Sequence, residues 1–293
     1  MKADLHRAGA EAMTRVIALH CSGAGPAQWS NLAASLGDDY EVLTPEHYGC
    51  EVIGPWSGDH AFTIADEAAK TLDLINKSRS RVHLIGHSYG GGVALHAALA
   101  CPQKLASIAL YEPSAFHLLR TIGDAGREGH AQIGGLARRI SQGVLTGDYR
   151  SAVAHFIDYW NGPGAWDAMP PSLQKKLVRW APKGPLEFRA VMEDATPAAA
   201  YERLRVPVLI MVGEHAPLPT RIIAQALTTL LPITRSVVVK GAGHMGPLTH
   251  PSIVSACLVE HISAIERGQA ARTNVATSRM AKPSLRMPQL TSG

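Results

Sequence analysis

Between residues 15 and 266, short β-branched runs alternate with stretches of helical period, and this alternation limits the chain to few architectures. Strand-like runs fall at residues 15–20, 40–44, 81–86, 106–112, 206–213 and 236–240. Helical periods cover about 26–36, 63–77, 89–100, 221–230 and 252–266. The strand runs are apolar throughout rather than alternating, which implies an α/β fold: a mostly parallel, doubly wound sheet with helices on both faces. The pattern breaks between Pro113 and Val206. In that stretch Tyr149, Val153, Phe156, Ile157 and Trp160 recur at helical spacing and form one apolar face. Asn161-Gly162-Pro163-Gly164, Pro170-Pro171 and Lys183-Gly184-Pro185 cut it into several short helices. The expected organisation is an α/β core from residues 1–113 and 201–266, a helical cap over the sheet from 114–200, and a disordered tail from 267–293.

Charge and cysteine content narrow the partners. Of the net charge of +4, the residues after Glu266 supply +5 through Arg267, Arg272, Arg279, Lys282 and Arg286, so the preceding chain carries −1. A body with no net excess of cations is not a nucleic-acid surface. The longest apolar runs are strand-sized, far below the roughly 18 residues of a membrane span, and residues 16–19 are too short for a signal-peptide core. Cys21, Cys50, Cys101 and Cys257 are scattered and show no CxxC pair, which predicts reduced thiols in a cytoplasmic protein.

The residues that carry chemistry begin with Gly86-His87-Ser88-Tyr89-Gly90-Gly91-Gly92, directly after the strand run Val82-His83-Leu84-Ile85. A Gly-x-Ser-x-Gly turn between strand and helix is so tight that glycines must flank the serine, and it lifts the hydroxyl clear of the sheet. The helix that follows offers free N–H groups to developing negative charge. Ser88 is therefore the expected nucleophile.

On these residues the sequence resembles the α/β-hydrolase superfamily from about Arg15 to Glu266. His20-Cys21-Ser22-Gly23, followed by Trp29, looks like that family's His-Gly-x motif after the first parallel strand. Gly241-Ala242-Gly243-His244-Met245 looks like its histidine loop after the last strand, and the nucleophile-first, histidine-last order agrees. There are two departures. Cys21 stands where the family has glycine, and the short segment before the first strand leaves no room for an N-terminal antiparallel hairpin. The resemblance implies that His244 is the general base and that the backbone N–H groups of Ser22 and Tyr89 form an oxyanion hole. His250 is the rival histidine, but Thr249-His250-Pro251 reads as a helix start. The run from Gly241 to Gly246 also satisfies GxGxxG, but Pro247 and Pro251 interrupt the helix a dinucleotide site requires.

The acid has two candidates. Most of the superfamily carries it after the strand at 208–212, in a Gly-x-x-Asp turn, but here the turn reads Gly213-Glu214-His215-Ala216. Glu112, at the end of the run Ile108-Ala109-Leu110-Tyr111 and stopped by Pro113, resembles the acid of a haloalkane-dehalogenase subgroup. Glu112 is the expected acid, with Glu214 the alternative.

The expected function is serine hydrolysis of a carboxylic ester or related acyl compound through an acyl-enzyme on Ser88. The alternatives are carbon–carbon bond hydrolysis or cofactor-free perhydrolysis on the same triad, or a non-catalytic receptor that keeps the fold. Phe116, Phe156 and Trp160 are the candidate pocket residues, with Leu118, Leu119, Tyr149 and Trp166 in the same apolar set. No metal site is expected, since there is no HExxH and no carboxylate–histidine spacing. No cofactor is implied, and the partner is a small acyl substrate.

Overall fold

In the computed structural model, which describes residues 13–50 and 53–268, the six apolar runs become one parallel sheet. In chain order the core elements are β1 (Thr14–Leu19), α1 (Ser30–Leu36), β2 (Tyr40–Leu43), α2 (Ile64–Lys77), β3 (Val82–His87), α3 (Tyr89–Ala100) and β4 (Leu105–Tyr111). Five helices follow: α4 (Gly123–Thr146), α5 (Tyr149–Asn161), α6 (Pro171–Trp180), α7 (Gly184–Met192) and α8 (Ala198–Tyr201). The sheet resumes with β5 (Val208–Gly213), α9 (Leu218–Leu230) and β6 (Thr234–Val239), and ends in α10 (Gly246–Thr249) and α11 (Pro251–Glu266).

The spatial order is β2-β1-β3-β4-β5-β6, with every neighbouring pair parallel. Strand side chains divide with period two, and both faces are buried. Ile17, Leu84 and Ile108 pack toward α2, α3 and α9, while Val16, Ile85 and Ala109 pack toward α1 and α11. The chain leaves β1 outward to β2 and returns to β3 on the other side. The switch point therefore lies between β1 and β3, where open α/β sheets bind ligands at the carboxyl ends of their strands.

Helix ends follow from local chemistry. Thr63 caps α2 in a reciprocal box with Asp66, and Asp148 caps α5 by accepting from the Ser151 N–H. The helix expected from 221 begins three residues earlier, at Leu218. Pro219 is no obstacle in a first turn, where its missing N–H would have had no partner.

The inserted stretch differs from expectation in one respect. It is helical, and it breaks near the expected prolines and glycines, but α4 runs unbroken for 24 residues despite its glycines. Gly126 and Gly143 serve close packing. A Cβ at Gly126 would strike the Leu119 carbonyl, and one at Gly143 would strike Ala152 on α5. Among the described residues no helix is long and apolar enough to cross a membrane. From residue 269 onward the expected tail lies outside the described residues.

Candidate active site

Ser88 sits between β3 and α3 with φ 53° and ψ −117°, a strained conformation for a residue with a side chain. Its carbonyl is held by the N–H groups of Gly91, Gly92 and Ser114, and its own N–H donates to the Tyr111 carbonyl. The flanking glycines are a steric necessity. A Cβ at Gly86 would meet Gly91 Cα at 2.6 Å, and one at Gly90 would meet the Leu19 carbonyl oxygen at 2.6 Å. The turn thus closes against its own helix and against β1, which leaves the hydroxyl at the sheet's edge.

His244, in the loop between β6 and α10, reaches the same point. Its Nε2 is 2.9 Å from Ser88 Oγ, and its Nδ1 is 2.7 Å from Glu112 Oε2. A carboxylate can only accept, so Nδ1 carries the proton and Nε2 is free to accept from the serine hydroxyl. The backbone of the loop is clamped as well. His87 Nε2 donates to the His244 carbonyl at 2.9 Å, and the Tyr111 hydroxyl donates to the Gly243 carbonyl at 2.7 Å. Burial, and then the neighbouring His244, hold His87 well below the ordinary histidine range, so it acts as a neutral donor.

Glu112 is fully buried and lies one residue past β4, with φ 42°, so the chain turns out of the strand at the residue itself. Besides His244 it accepts from the Gly213 N–H at 2.9 Å and from the Thr220 hydroxyl at 2.8 Å. Three donors on one buried carboxylate compensate for its desolvation. Glu214 is elsewhere. It is exposed and accepts from the Gly241 N–H and Lys240 Nζ, both at 2.9 Å; these partners hold its carboxyl below the usual range. Ala216 is buried and offers nothing to the imidazole. His250 stands at the start of α11, where its Nδ1 contacts the Thr249 hydroxyl.

At the other side of the switch point, the loop after β1 brings Ser22 to the cavity that Ser88 lines. The Cys21 N–H is taken by the Gln28 side chain at 3.1 Å. Tyr89 opens α3, so its N–H has no acceptor within the helix. Burial pushes the Cys21 thiol up to about 12, and burial also raises Cys50, so neither is a thiolate.

Two cavities meet at Ser88. A groove of about 230 Å³ is lined by Ser88, His244, Ile157, Met169, Leu177 and Leu248. A narrow chamber of about 20 Å³ is lined by Ser88, Tyr89, Phe116, Phe156, Trp160, Glu187 and Phe188. Of the expected pocket residues, Phe116, Phe156 and Trp160 reach the site, whereas Leu118, Leu119, Tyr149 and Trp166 pack within or against the core.

The sequence reading missed several residues here. Trp160 packs against His244, with ring centroids 4.1 Å apart and the planes tilted. Glu67 of α2 binds Lys183 Nζ at 2.6 Å and accepts from the Tyr89 hydroxyl at 2.7 Å, all three side chains being buried. Burial alone would raise the Glu67 carboxyl, but His47 and Lys183 beside it hold it well below the carboxylate range. An acid on the apolar face of α2, between Ile64, Ala68 and Thr71, was the available signal. Nothing local marked Thr220 or Lys183. Among the described residues no group of three or more His, Cys, Asp or Glu could hold a metal ion.

The profile of the alpha/beta hydrolase family matches residues 16–256. The chain belongs to the alpha/beta hydrolase family. Among curated relatives of this chain, lipase LipV of Mycobacterium tuberculosis is 31% identical over 116 residues, 38% of this chain and 42% of the lipase. The chain spans less than half the length of the first relatives it matches. A pimeloyl-[acyl-carrier protein] methyl ester esterase of Aeromonas hydrophila is 25% identical over 251 residues, covering 80% of this chain and 90% of that enzyme. Among solved structures, the hydrolase olei00960 of Oleispira antarctica superposes with a TM-score of 0.69 at 15% identity, over 87% of this chain and 92% of that one. That likeness concerns the fold alone.

Proposed function

We propose that this hydrolase is a serine esterase that cleaves a carboxylic ester through an acyl-enzyme on Ser88. The observation that carries the reading is the continuous hydrogen-bonded series from Ser88 Oγ through His244 to Glu112. In the reaction, His244 Nε2 takes the Ser88 proton as Oγ attacks the ester carbonyl. The backbone N–H groups of Ser22 and Tyr89 receive the oxyanion. The imidazolium, stabilised by Glu112, then gives its proton to the leaving alkoxide, and water repeats the sequence on the acyl-enzyme. Residues 1–113 and 201–266 act as the catalytic core, and 114–200 as a cap that covers Ser88 and shapes the pocket. The esterase and lipase names of curated relatives support ester substrates. Four cysteines, none in a disulfide, suit a reducing compartment such as the cytoplasm.

An organophosphonate followed by mass spectrometry, run beside an ester panel on the wild type and Ser88→Ala, tests the reading. One adduct on Ser88, with hydrolysis abolished in both labelled and substituted protein, is expected. Labelling elsewhere with hydrolysis retained overturns it.

A further inference from the structure

The proposed oxyanion hole draws its two donors from separate segments, Ser22 from the loop after β1 and Tyr89 from the first turn of α3. Their N–H groups must converge on one point, and a misplacement of about 1 Å can cost roughly a hundredfold in rate. The two segments approach closely, since a Cβ at Gly90 would meet the His20 carbonyl oxygen at 2.5 Å.

Glu67 lies on α2, in neither segment, and is tied to both. Its Oε2 accepts from the Tyr89 hydroxyl at 2.7 Å. Its Oε1 accepts from the Tyr48 N–H at 2.9 Å and lies 3.4 Å from His47 Nδ1. His47 Nε2 in turn donates to the carbonyl of His20, two positions before Ser22, at 3.0 Å. Lys183, in the turn between α6 and α7, reaches Glu67 Oε2 at 2.6 Å. Glu67, His47, Tyr89 and Lys183 are all buried. The inserted helices also bear on the loop after β1 directly. Gly23 has φ 69°, and a Cβ there would meet Leu177 Cδ2 of α6 at 2.8 Å.

A buried carboxylate and ammonium gain little net stability over apolar residues of similar volume, because desolvation offsets their attraction. What a fully hydrogen-bonded charge supplies is fixed geometry, since its donors must lie along its lone pairs. The groups fixed here are the residue that carries one oxyanion donor and the strand end that leads to the other.

Resting on the esterase reading, we infer that Glu67 is a positioning residue of the oxyanion hole. Through the Tyr89 hydroxyl and through His47 it holds the Tyr89 and Ser22 N–H groups at their spacing, and Lys183 ties the inserted helices to the same carboxylate. Glu67 lines neither cavity at Ser88, so it acts on the donors and not on the bound substrate.

The test reads the oxyanion separately from folding and from ground-state binding. Ser88 Oγ adds to the carbonyl carbon of hexyl trifluoromethyl ketone, its proton passes to His244, and the carbonyl electron pair becomes an oxyanion in the hole. The alcohol obtained by reducing that ketone has nearly the same shape and forms no oxyanion. In Glu67→Gln one oxygen becomes an NH₂ group, so one of the two ties is lost. Ketone affinity, and kcat/KM on hexyl acetate, should fall about ten- to a hundredfold, less than the loss of a whole oxyanion donor. The alcohol's inhibition constant should stay within about twofold, because the ground state does not use the hole. Tyr89→Phe and His47→Leu each sever one tie, and each should lower ketone affinity about three- to tenfold, the equivalent of one hydrogen bond. Thermal melting shows which variants are folded at the assay temperature, and these two decide the matter where Glu67→Gln is not. A ketone-to-alcohol affinity ratio unchanged in Glu67→Gln, or in both single-tie variants, overturns the positioning role and leaves the esterase reading intact. A wild type that forms no ketone adduct on Ser88 and hydrolyses no ester overturns both.

Discussion

The indole of Trp160 lies over the imidazole of His244, with ring centroids 4.1 Å apart and planes inclined by 31°. Trp160 belongs to α5, in the helical stretch between β4 and β5, so a residue expected only to line a pocket touches the proposed base. An aromatic face stabilises a cation above it, by up to about 2 kcal/mol where water is excluded, and the imidazole becomes a cation in the proposed reaction.

Trp160→Leu is therefore expected to lower kcat roughly ten- to thirtyfold even on a small activated acetate, the rate equivalent of that energy. Trp160→Phe, which keeps a ring, should lose less. Phe156→Leu should change chain-length preference and KM with little change in kcat on acetate. A rise in KM alone for Trp160→Leu would make the indole a pocket wall and nothing more.

Glu112→Gln should fold and lose most of kcat, by roughly 10³- to 10⁴-fold, the loss seen when a triad carboxylate becomes an amide. Glu214→Gln should stay within a few fold of wild type, because its partners are Lys240 and the Gly241 N–H on the surface. Steady-state kinetics on one ester compares the two directly. The reverse pattern would assign the acid role to Glu214.

The Glu67–Lys183 pair joins α2 to the turn between α6 and α7, with both side chains about 95% buried. Removing Lys183 takes the shared ammonium from buried Glu67 and Glu187 and leaves Glu67 with His47 alone beside it, at a cost of up to about 3–5 kcal/mol. Lys183→Met should thus lower the thermal midpoint markedly, while the double variant Lys183→Met with Glu67→Leu recovers only part of the loss, because the Tyr89 hydroxyl and the Tyr48 N–H lose their acceptor and Glu187 still lacks its cation. Denaturant titration of the single and double variants measures the coupling.

His261, buried on α11, is held down to about 4 by burial and then by His83, below its ordinary value of 6.5. An unfolded histidine takes up a proton before this one does. Its contribution to stability is therefore complete above about pH 6.5 and is lost as pH falls toward 4. The difference corresponds to about 3 kcal/mol. Replacing His261 with Leu should flatten the decline of unfolding free energy between pH 6.5 and 4, measured by urea titration at several pH values. A decline of unchanged slope would place the acid sensitivity in other groups.

What the sequence determined by itself was whatever its local chemistry records. Apolar runs of strand length between helical periods sufficed for a parallel sheet, since the rule that both faces be covered acts on each run separately. Ser88 was readable because its turn requires glycine on both sides, and His244 because its loop directly follows the last strand. The helical stretch was readable as helical, but α4, at 24 residues, is not one of the short helices expected there, and its Gly126 and Gly143 permit close approach to Leu119 and Ala152. The tertiary structure alone decided which carboxylate meets the imidazole. Glu112 and His244 are 132 residues apart and meet because β4, β5 and β6 are neighbours in the sheet. The same adjacency brings in the Gly213 N–H and Thr220, while the inserted helices bring Trp160 and Glu187 to Ser88. Periodicity records how a segment buries its own face; which distant side chain completes a buried hydrogen bond depends on how those faces are stacked.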